Sequence, residues 1–336
     1  MEKKSNMKNS AVDILTGIRP TGVLTIANYL GAIQPIIELQ KQGNSTFIFA
    51  ADIHALTNNE PSVVLRYTNE VIIDCIALGL DPKKAVIYTQ SSIFGYISAL
   101  ASLLARHITV AELLRVPTLK DKLKKGARPE TANTLLLLYP VIMAADIMIQ
   151  RARRIPVGED QVAHLEITRE LARRFNKQYG EIFPLPQPYQ IAALRILALR
   201  GNGKMSKSLP DAAILLSDSP KEVAQKIKRA QTANAGEMTE SLKSHITLSE
   251  ALCSNDAERR EIASIIKTHM AGKTVMKDFK QLMTSVIIGF LDRFHDERTR
   301  IEKNRSYIAE ILDSGNKIAE ANAQETIEMV LEAMKK

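Results

Sequence analysis

The first half of the chain alternates short apolar runs with longer segments in which apolar residues recur at helical spacing. Three of the runs, Ile14–Ile18, residues 46–51 and Ala85–Thr89, are short and apolar enough to be buried strands. Residues 63–78 lie between the second and third runs and have the apolar period of a helix. Strands that alternate with helices predict a parallel sheet, so we expect an α/β fold.

The turn after the first predicted strand is a candidate anion site. Residues 20–22 read Pro-Thr-Gly, which is turn chemistry, and helical apolar spacing begins at Ile26. The start of a helix presents unpaired N–H groups and the positive end of the helix dipole, both of which attract anions. Thr25 and Asn28 lie in the first turn and can add donors to a phosphate.

Polar residues also follow other predicted strands. Asp52 and His54 come directly after the second strand, and residues 155–157 form a further short strand that ends in Gly-Glu-Asp-Gln at residues 158–161. Ligands of parallel sheets bind at the carboxyl ends of the strands, and carboxylates accept hydrogen bonds from sugar hydroxyls. We therefore expect these residues to lie near the candidate anion site.

One carboxylate lies in an otherwise apolar segment. Residues 135–150 contain a single acidic residue, Asp146. A charge in such surroundings is costly unless it is paired or bonds a ligand. Two interpretations are open: Asp146 lies on the polar stripe of a core helix, or it accepts a hydrogen bond from a donor buried in a ligand pocket.

The character of the sequence changes beyond Pro210. Glycine becomes sparse there, and apolar residues recur at helical spacing between charged ones over residues 220–230, 256–271, 277–293 and 298–336. We expect a flexible tail over residues 1–12, an α/β domain over residues 13–210 and an appended helical domain over residues 211–336. The last segment of the helical domain can pack back on the first domain.

The composition is that of an ordinary globular protein, with 45% hydrophobic and 24% charged residues. A formal net charge of +8 is compatible with a polyanionic partner but does not identify one. Two cysteines exclude a disulfide framework, and no Cys/His cluster indicates a metal site. No signal peptide is recognisable and every uncharged run is shorter than the ~20 residues of a membrane span, so we expect a cytoplasmic protein.

A lysine-rich loop follows the α/β pattern. Residues 201–208 read GNGKMSKS, and the glycines make this loop mobile. Mobile lysines suit the charge that develops on a departing phosphate, although a surface loop without a ligand is the usual explanation of K-x-x-K. Residues 103–128 are also basic, which more often marks a solvated helix face than a phosphate contact. The Arg-rich turn at residues 151–154 either touches nucleic acid or faces solvent.

Several of these stretches together resemble a known family. TIAN at residues 25–28 and KMSKS at residues 204–208 resemble the two signature motifs of class I aminoacyl-tRNA synthetases. ADIHALT (residues 51–57), YPVIMAADI (139–147) and PVGEDQVAHLEITRELARRFN (156–176) are similar to strings of bacterial tryptophanyl-tRNA synthetases. The resemblance implies a Rossmann-like parallel-sheet catalytic domain with an appended C-terminal α-helical domain that binds the anticodon.

The resemblance also implies an activity and a set of site residues. The family activates L-tryptophan with ATP and Mg²⁺, transfers it to the 3′ adenosine of tRNA(Trp) and works as a homodimer, without a membrane or DNA partner. The implied catalytic residues are Lys204, Lys207, Lys122, Thr25 and Asn28. The implied ATP contacts are Arg19, Thr25, Ala27, Asn28, Gly158, Asp160, Gln161, Ile196, Lys204, Met205, Ser206 and Lys207. The implied tryptophan contacts are Leu15, His54, Tyr139, Met143, Asp146 and Gln161.

Three residues depart from the family pattern. Ala27 stands where glycine is common, Arg19 where many relatives have glutamine, and Leu15 where an aromatic residue often lines the indole pocket. Three alternatives remain: a tyrosyl-tRNA synthetase, a nucleotidyltransferase that makes an adenylate without tRNA, and an RNA-binding paralogue without catalysis. The usual tyrosine-specific strings are absent, the basic helical region argues against the second, and the intact lysines argue against the third.

Overall fold

The structure is a computed structural model that describes residues 12–116, 134–156, 158, 162–189 and 194–335. Five strands within these residues form one parallel sheet: β1 (Ile14–Ile18), β2 (Thr46–Ala50), β3 (Ala85–Thr89), β4 (Arg154–Pro156) and β5 (Gln187–Tyr189). Their order in the sheet is β3-β2-β1-β4-β5. The predicted α/β class and parallel sheet are confirmed.

The helices of the described residues surround this sheet. A first helical stretch after β1 has three parts, Ile26–Asn28, a π-helical turn at Tyr29–Ile33, and Gln34–Lys41, which together we call α1. The next helices are α2 (Asp52–Ala55), α3 (Pro61–Ala77), α4 (Phe94–Leu104), α5 (Val110–Leu113), α6 (Thr134–Ile149) and α7 (Val162–Tyr179). The C-terminal helices are α8 (Pro220–Lys228), α9 (Glu240–Leu252), α10 (Asp256–Met270), α11 (Met276–Glu302) and α12 (Arg305–Ala333).

Side-chain alternation along the strands builds a core on each face of the sheet. Phe47 and Phe49 of β2 belong to one buried apolar cluster, whereas Ile48 and Ala50 belong to the other. This is the period of two that a strand requires when both of its faces are covered. β2 is buried along its whole length.

Both apolar clusters extend into the C-terminal helices. The cluster that holds Ile48 includes Phe294 of α11, and the cluster that holds Phe47 includes Ala323 of α12. α12 lies against β3, where the Asn316 Oδ1 accepts a hydrogen bond of 3.1 Å from the Thr89 N–H. The predicted division at residue 210 stays a prediction, and the cores run across it.

Several elements are absent from the sequence prediction, among them α2, α4, β5 and α9. β5 has only three residues and contains Pro188, so it carries no strand pattern. α9 buries polar residues, among them Ser244, His245 and Ser249, and therefore lacks a clear apolar stripe. Burial lowers the pKa of His245 to about 4. The other predicted segments agree with the structure except at their ends.

The basic turn at residues 151–154 is mainly a structural feature. Arg151, which follows α6, has a φ of 49° and forms an ion pair of 2.7 Å with Glu325 of α12. Arg154 donates to Asn44 Oδ1 at 2.7 Å, and Arg153 is exposed. Two of the arginines therefore hold elements together, which decides against a wholly solvent-facing turn. In the described part of the chain, no helix combines the length and apolarity that crossing a membrane requires.

Candidate active site

The carboxyl ends of the first three strands meet at one edge of the sheet. Ile18 pairs with Ala50, and Ala50 pairs with Thr89, so the strands end in register. The residues that follow them, Arg19, Asp52 and Gln90, are thereby brought to the same edge. This is where ligands of parallel α/β sheets bind.

A cavity of about 360 Å³ opens at this edge, a size suited to a small molecule. Five predicted tryptophan contacts line it: Leu15, His54, Tyr139, Met143 and Asp146. Arg19 also lines it, together with Phe49, Thr57 and His164, which the sequence analysis did not single out. The cavity is therefore apolar along much of its wall and polar at a few points.

Asp146 is the buried acceptor of this cavity. It is only 3% exposed, and both of its oxygens lie 2.9 Å from Gln90 Nε2. His54 Nδ1 lies 3.3 Å from Asp146 Oδ2. Burial raises the pKa of Asp146, and the hydrogen bonds from His54 and Gln90 counter that shift by stabilising the carboxylate. Of the two interpretations left open by the sequence, the structure favours the carboxylate of a pocket.

Gln90 is the residue of this network that the sequence analysis missed. It is fully buried, and its Oε1 accepts the His54 backbone N–H at 3.0 Å, which fixes the orientation of the amide. Asp52 accepts the neighbouring Ser91 N–H at 2.9 Å and so anchors the turn that carries Gln90. The sequence does contain a signal for Gln90, because this residue directly follows a predicted buried strand, just as Asp52 does.

The start of α1 is built by a capping box. Thr25 is fully buried, and its hydroxyl accepts the Asn28 N–H at 3.1 Å, while Asn28 Oδ1 accepts the Thr25 N–H at 2.9 Å. Asn28 is exposed, and its Nδ2 has no partner among the described residues, so it is available to an anion. Ala27 is 3% exposed and belongs to the same apolar cluster as Ile196 and Met205.

The lysine-rich loop folds over the turn that precedes α1. Lys207 Nζ donates a short hydrogen bond to Thr21 Oγ1. Burial and, second, the charge of Arg19 lower the pKa of Lys207. The structure thus brings Lys207 to the predicted anion site although 186 residues separate it from Thr21.

The base of this loop is a short hairpin. Leu197 and Lys204 form an antiparallel bridge, and the Met205 N–H donates to the Ile196 carbonyl at 2.9 Å. Ser206 Oγ forms a short hydrogen bond with Ser208 Oγ. Lys204 is exposed. Ile196 and Met205 are therefore adjacent, as they must be if both backbones are to contact the same adenine ring. The Met205 N–H and the Ile196 carbonyl, however, already bond each other.

Some predicted site residues lie outside the described part of the chain. These are Lys122, Asp160 and Gln161. Gly158 is described and exposed. Within the described ranges, no group of three or more His, Cys, Asp or Glu side chains could hold a metal ion.

Comparisons with known proteins show which family the chain is related to. The family described as "tRNA synthetases class I (W and Y)" matches residues 7–292. The tryptophan–tRNA ligase of Treponema pallidum is 34% identical over 328 residues, which cover 96% of this chain and 96% of that protein. That of Thermotoga maritima is also 34% identical, over 96% of this chain and 98% of that protein.

Solved structures extend the similarity to the fold. The tryptophanyl-tRNA synthetase of Mycoplasma pneumoniae has a TM-score of 0.85 and 30% identity, covering 97% of this chain and 98% of that one. The Campylobacter jejuni enzyme, solved with ADP and tryptophan, has a TM-score of 0.81 and 27% identity, covering 97% of this chain and all (100%) of that one. On its motifs, its fold and its relatives, this chain belongs to the class I aminoacyl-tRNA synthetases and, within them, to the bacterial tryptophanyl-tRNA synthetases.

Proposed function

We propose that the chain joins L-tryptophan to tRNA(Trp) in two steps at the edge of the sheet described above. In the first step, a carboxylate oxygen of tryptophan attacks the α-phosphorus of ATP, and the bond to pyrophosphate breaks. In the second, a ribose hydroxyl of the terminal adenosine of tRNA attacks the carbonyl carbon of the adenylate and releases AMP. Neither step needs a protein nucleophile, so positioning and electrostatics supply the rate.

The observation that carries this proposal is the buried Asp146 carboxylate at the wall of a largely apolar cavity. An indole ring brings one N–H donor and an otherwise apolar surface. Asp146 accepts that N–H, while Leu15, Tyr139, Met143 and His54 surround the ring. A site that must hydrogen-bond a ring N–H strongly rejects rings without it, because its own polar group is then left unpaired.

The phosphates of ATP belong at the start of α1. Asn28 Nδ2 faces them, and Thr25 caps the turn that carries it. Lys204, Ser206 and Lys207 hold pyrophosphate as it leaves, and Lys207 already lies over the Pro-Thr-Gly turn. Arg19 adds positive charge on the same side.

The rest of the nucleotide follows the family resemblance. Adenine lies on Ala27 and beside the backbones of Ile196 and Met205, which share one apolar cluster. The remaining proposed contacts are Gly158, Asp160 and Gln161 for ribose and the amino acid, and Lys122 for the phosphates. Mg²⁺ enters with ATP as part of the substrate and needs no dedicated protein cage.

The partners and the compartment also follow from the family. We infer a cytoplasmic homodimer in which the C-terminal helices read the anticodon, with no role for DNA or a membrane. The net charge of +8 supports binding of a polyanion such as tRNA.

Pyrophosphate exchange with each of the twenty amino acids tests the activity. We expect ATP formation with L-tryptophan alone, followed by aminoacylation of tRNA(Trp) by the same preparation. Exchange with tyrosine would indicate a tyrosyl-tRNA synthetase. Exchange without any aminoacylation of tRNA would indicate an adenylate-forming nucleotidyltransferase, and either result would overturn the proposal.

A further inference from the structure

Arg19 lines the cavity, and it forms no ion pair with a carboxylate of the described residues. Its hydrogen bonds there all come from one nitrogen, Nη2. The acceptors are the His54 carbonyl at 3.4 Å, Thr57 Oγ1 at 3.4 Å and Asn58 Oδ1 at 3.2 Å. These bonds are long and share one NH₂ group, so Nε and Nη1 keep their donors free of any acceptor in the described ranges.

The surroundings of Arg19 favour an anion. Arg19 is exposed at the rim of the cavity, and desolvation by the residues around it lowers its pKa. Burial and, second, repulsion by the Arg19 charge lower the pKa of Lys207 in the lysine-rich loop. Two neighbouring cations that repel each other gain from an anion placed beside them.

The position of Arg19 within the cavity indicates which anion it binds. Arg19 and Asp146 line the same cavity, and the apolar side chains of Leu15, Phe49 and Met143 line it with them. A ligand with one N–H donor on an apolar ring and a carboxylate on a short arm matches this distribution. A triphosphate has no apolar part to occupy that wall.

We propose that Arg19 binds the α-carboxylate of the amino-acid substrate and makes the site select a free amino acid over its uncharged derivatives. The guanidinium offers a planar fork of donors that matches a carboxylate. The inference rests on the proposed function and deepens it, because it adds an amino-acid contact to a residue otherwise expected to serve ATP. It also places the attacking carboxylate on the side of the cavity that faces Lys207.

Binding of L-tryptophan and L-tryptophanamide tests this role. The two ligands share the indole and the α-amine and differ in the charge of the carboxyl group. The chain contains no tryptophan, so indole fluorescence reports the ligand alone. We expect the parent protein to bind L-tryptophan about 10- to 100-fold more tightly than the amide, as for a hydrogen-bonded charge pair. Arg19→Gln should bring this ratio close to one.

Two matched variants separate recognition from structure. Asn58→Ala removes an acceptor of Arg19 but keeps its charge, so the ratio should stay at the parent value. Met143→Leu alters the apolar wall and should change both affinities by the same factor. If Asn58→Ala lowers the ratio as much as Arg19→Gln does, Arg19 acts only by supporting the loop, and the proposal is wrong.

The remaining outcomes also decide the matter. Equal weakening of both ligands by Arg19→Gln, or a loss of ATP affinity measured without amino acid and no change in the ratio, would overturn the assignment. If the Arg19 assignment fails in this way but the parent protein still catalyses tryptophan-specific pyrophosphate exchange, the proposed function remains supported. If the parent protein shows no exchange with tryptophan, the proposed function itself fails.

Discussion

At the scale of single residues, the site depends on how the Asp146 carboxyl group is held in place inside an apolar cavity. Gln90 donates to both of its oxygens at 2.9 Å, and His54 Nδ1 lies 3.3 Å away. Gln90 is in turn fixed by the His54 backbone N–H. The acceptor that we propose for the indole N–H is therefore held in position by its neighbours before a ligand binds.

Asp146→Asn should separate stability from function. Burial raises the pKa of Asp146, so ionising this group costs free energy in the folded state. The raised pKa means that the folded state favours the protonated form of Asp146. The stabilisation from this preference is fully present below the unfolded-state pKa of about 3.9, and it is lost as the pH rises through the higher folded-state pKa. The variant should therefore match or exceed the parent in stability at pH 7, while tryptophan-dependent exchange falls by about 100-fold or more.

Urea unfolding of both proteins at several pH values measures this prediction. The stability difference in favour of Asp146→Asn should grow as the pH rises through that window and then level off. A variant clearly less stable than the parent at pH 7 would show that the ionised carboxylate stabilises the fold, in conflict with the raised pKa.

Ala27→Gly should lower the Michaelis constant for ATP. Ala27 is 3% exposed in the first turn of α1, and its methyl group lies where the family usually has no side chain. With adenine placed as proposed, removing the methyl group should let the ring approach the backbone more closely. The substitution should also lower the free energy of unfolding by about 0.5–1 kcal/mol, because glycine loses more backbone freedom on folding. Steady-state exchange kinetics measure the constant, and an unchanged or higher value would contradict the placement of adenine on Ala27.

At the scale of secondary-structure elements, the contact of α12 with β3 depends on one glycine. A Cβ at Gly315 would lie 1.8 Å from the Ile87 carbonyl oxygen, which is far inside van der Waals contact. The helix can lie this close to the strand only because residue 315 has no side chain. Gly289 of α11 offers a comparison, since a Cβ there would meet only Arg293 Nη1, at 3.7 Å.

Gly315→Ala should lower the free energy of unfolding by roughly 1–3 kcal/mol or more, because backbone must move apart. Gly289→Ala, the matched control, should raise it by about 0.5–1 kcal/mol through helix propensity. Thermal and urea unfolding measure both. Equal effects of the two substitutions would show that α12 does not lie on β3 as described.

The elements near the site were largely predictable, and their neighbours explain the exceptions. β1 and β3 have the predicted limits because continuous apolar runs between turn signals are strong strand patterns. α9 was not predictable, because its buried face holds polar residues whose partners come from distant parts of the chain. Ser244, for example, accepts the Leu197 N–H at 2.8 Å.

The same limit applies within the site. The sequence predicts Asp146 and Lys207 from their motifs, and it marks the strand ends as the place for ligands. It does not indicate that Gln90 orients Asp146 or that Arg19 lacks a counter-ion, because both facts depend on three-dimensional neighbours. Patterns of single residues show what chemistry is available, whereas pairing between distant residues decides how it is arranged.

At the scale of the whole molecule, the two substrates should respond differently to salt. The chain carries a formal net charge of +8, and tRNA is bound through phosphates whose counterions are released. Raising the salt from about 50 to 200 mM should weaken tRNA binding by about tenfold or more. Tryptophan affinity should change by less than about twofold, because the contact proposed with Arg19 involves a single charge pair, whereas tRNA presents many phosphates. Equal salt dependence of the two would contradict this division.

The central claim is that Asp146 selects the substrate by its ring N–H. The most direct measurement compares pyrophosphate exchange with L-tryptophan and with L-3-benzothienylalanine, whose ring has sulfur in place of the N–H at nearly the same shape. We expect kcat/KM to favour tryptophan by about 10⁴-fold or more, as for sites built around a substrate donor. Comparable kcat/KM values for the two amino acids would show that Asp146 does not read the indole N–H.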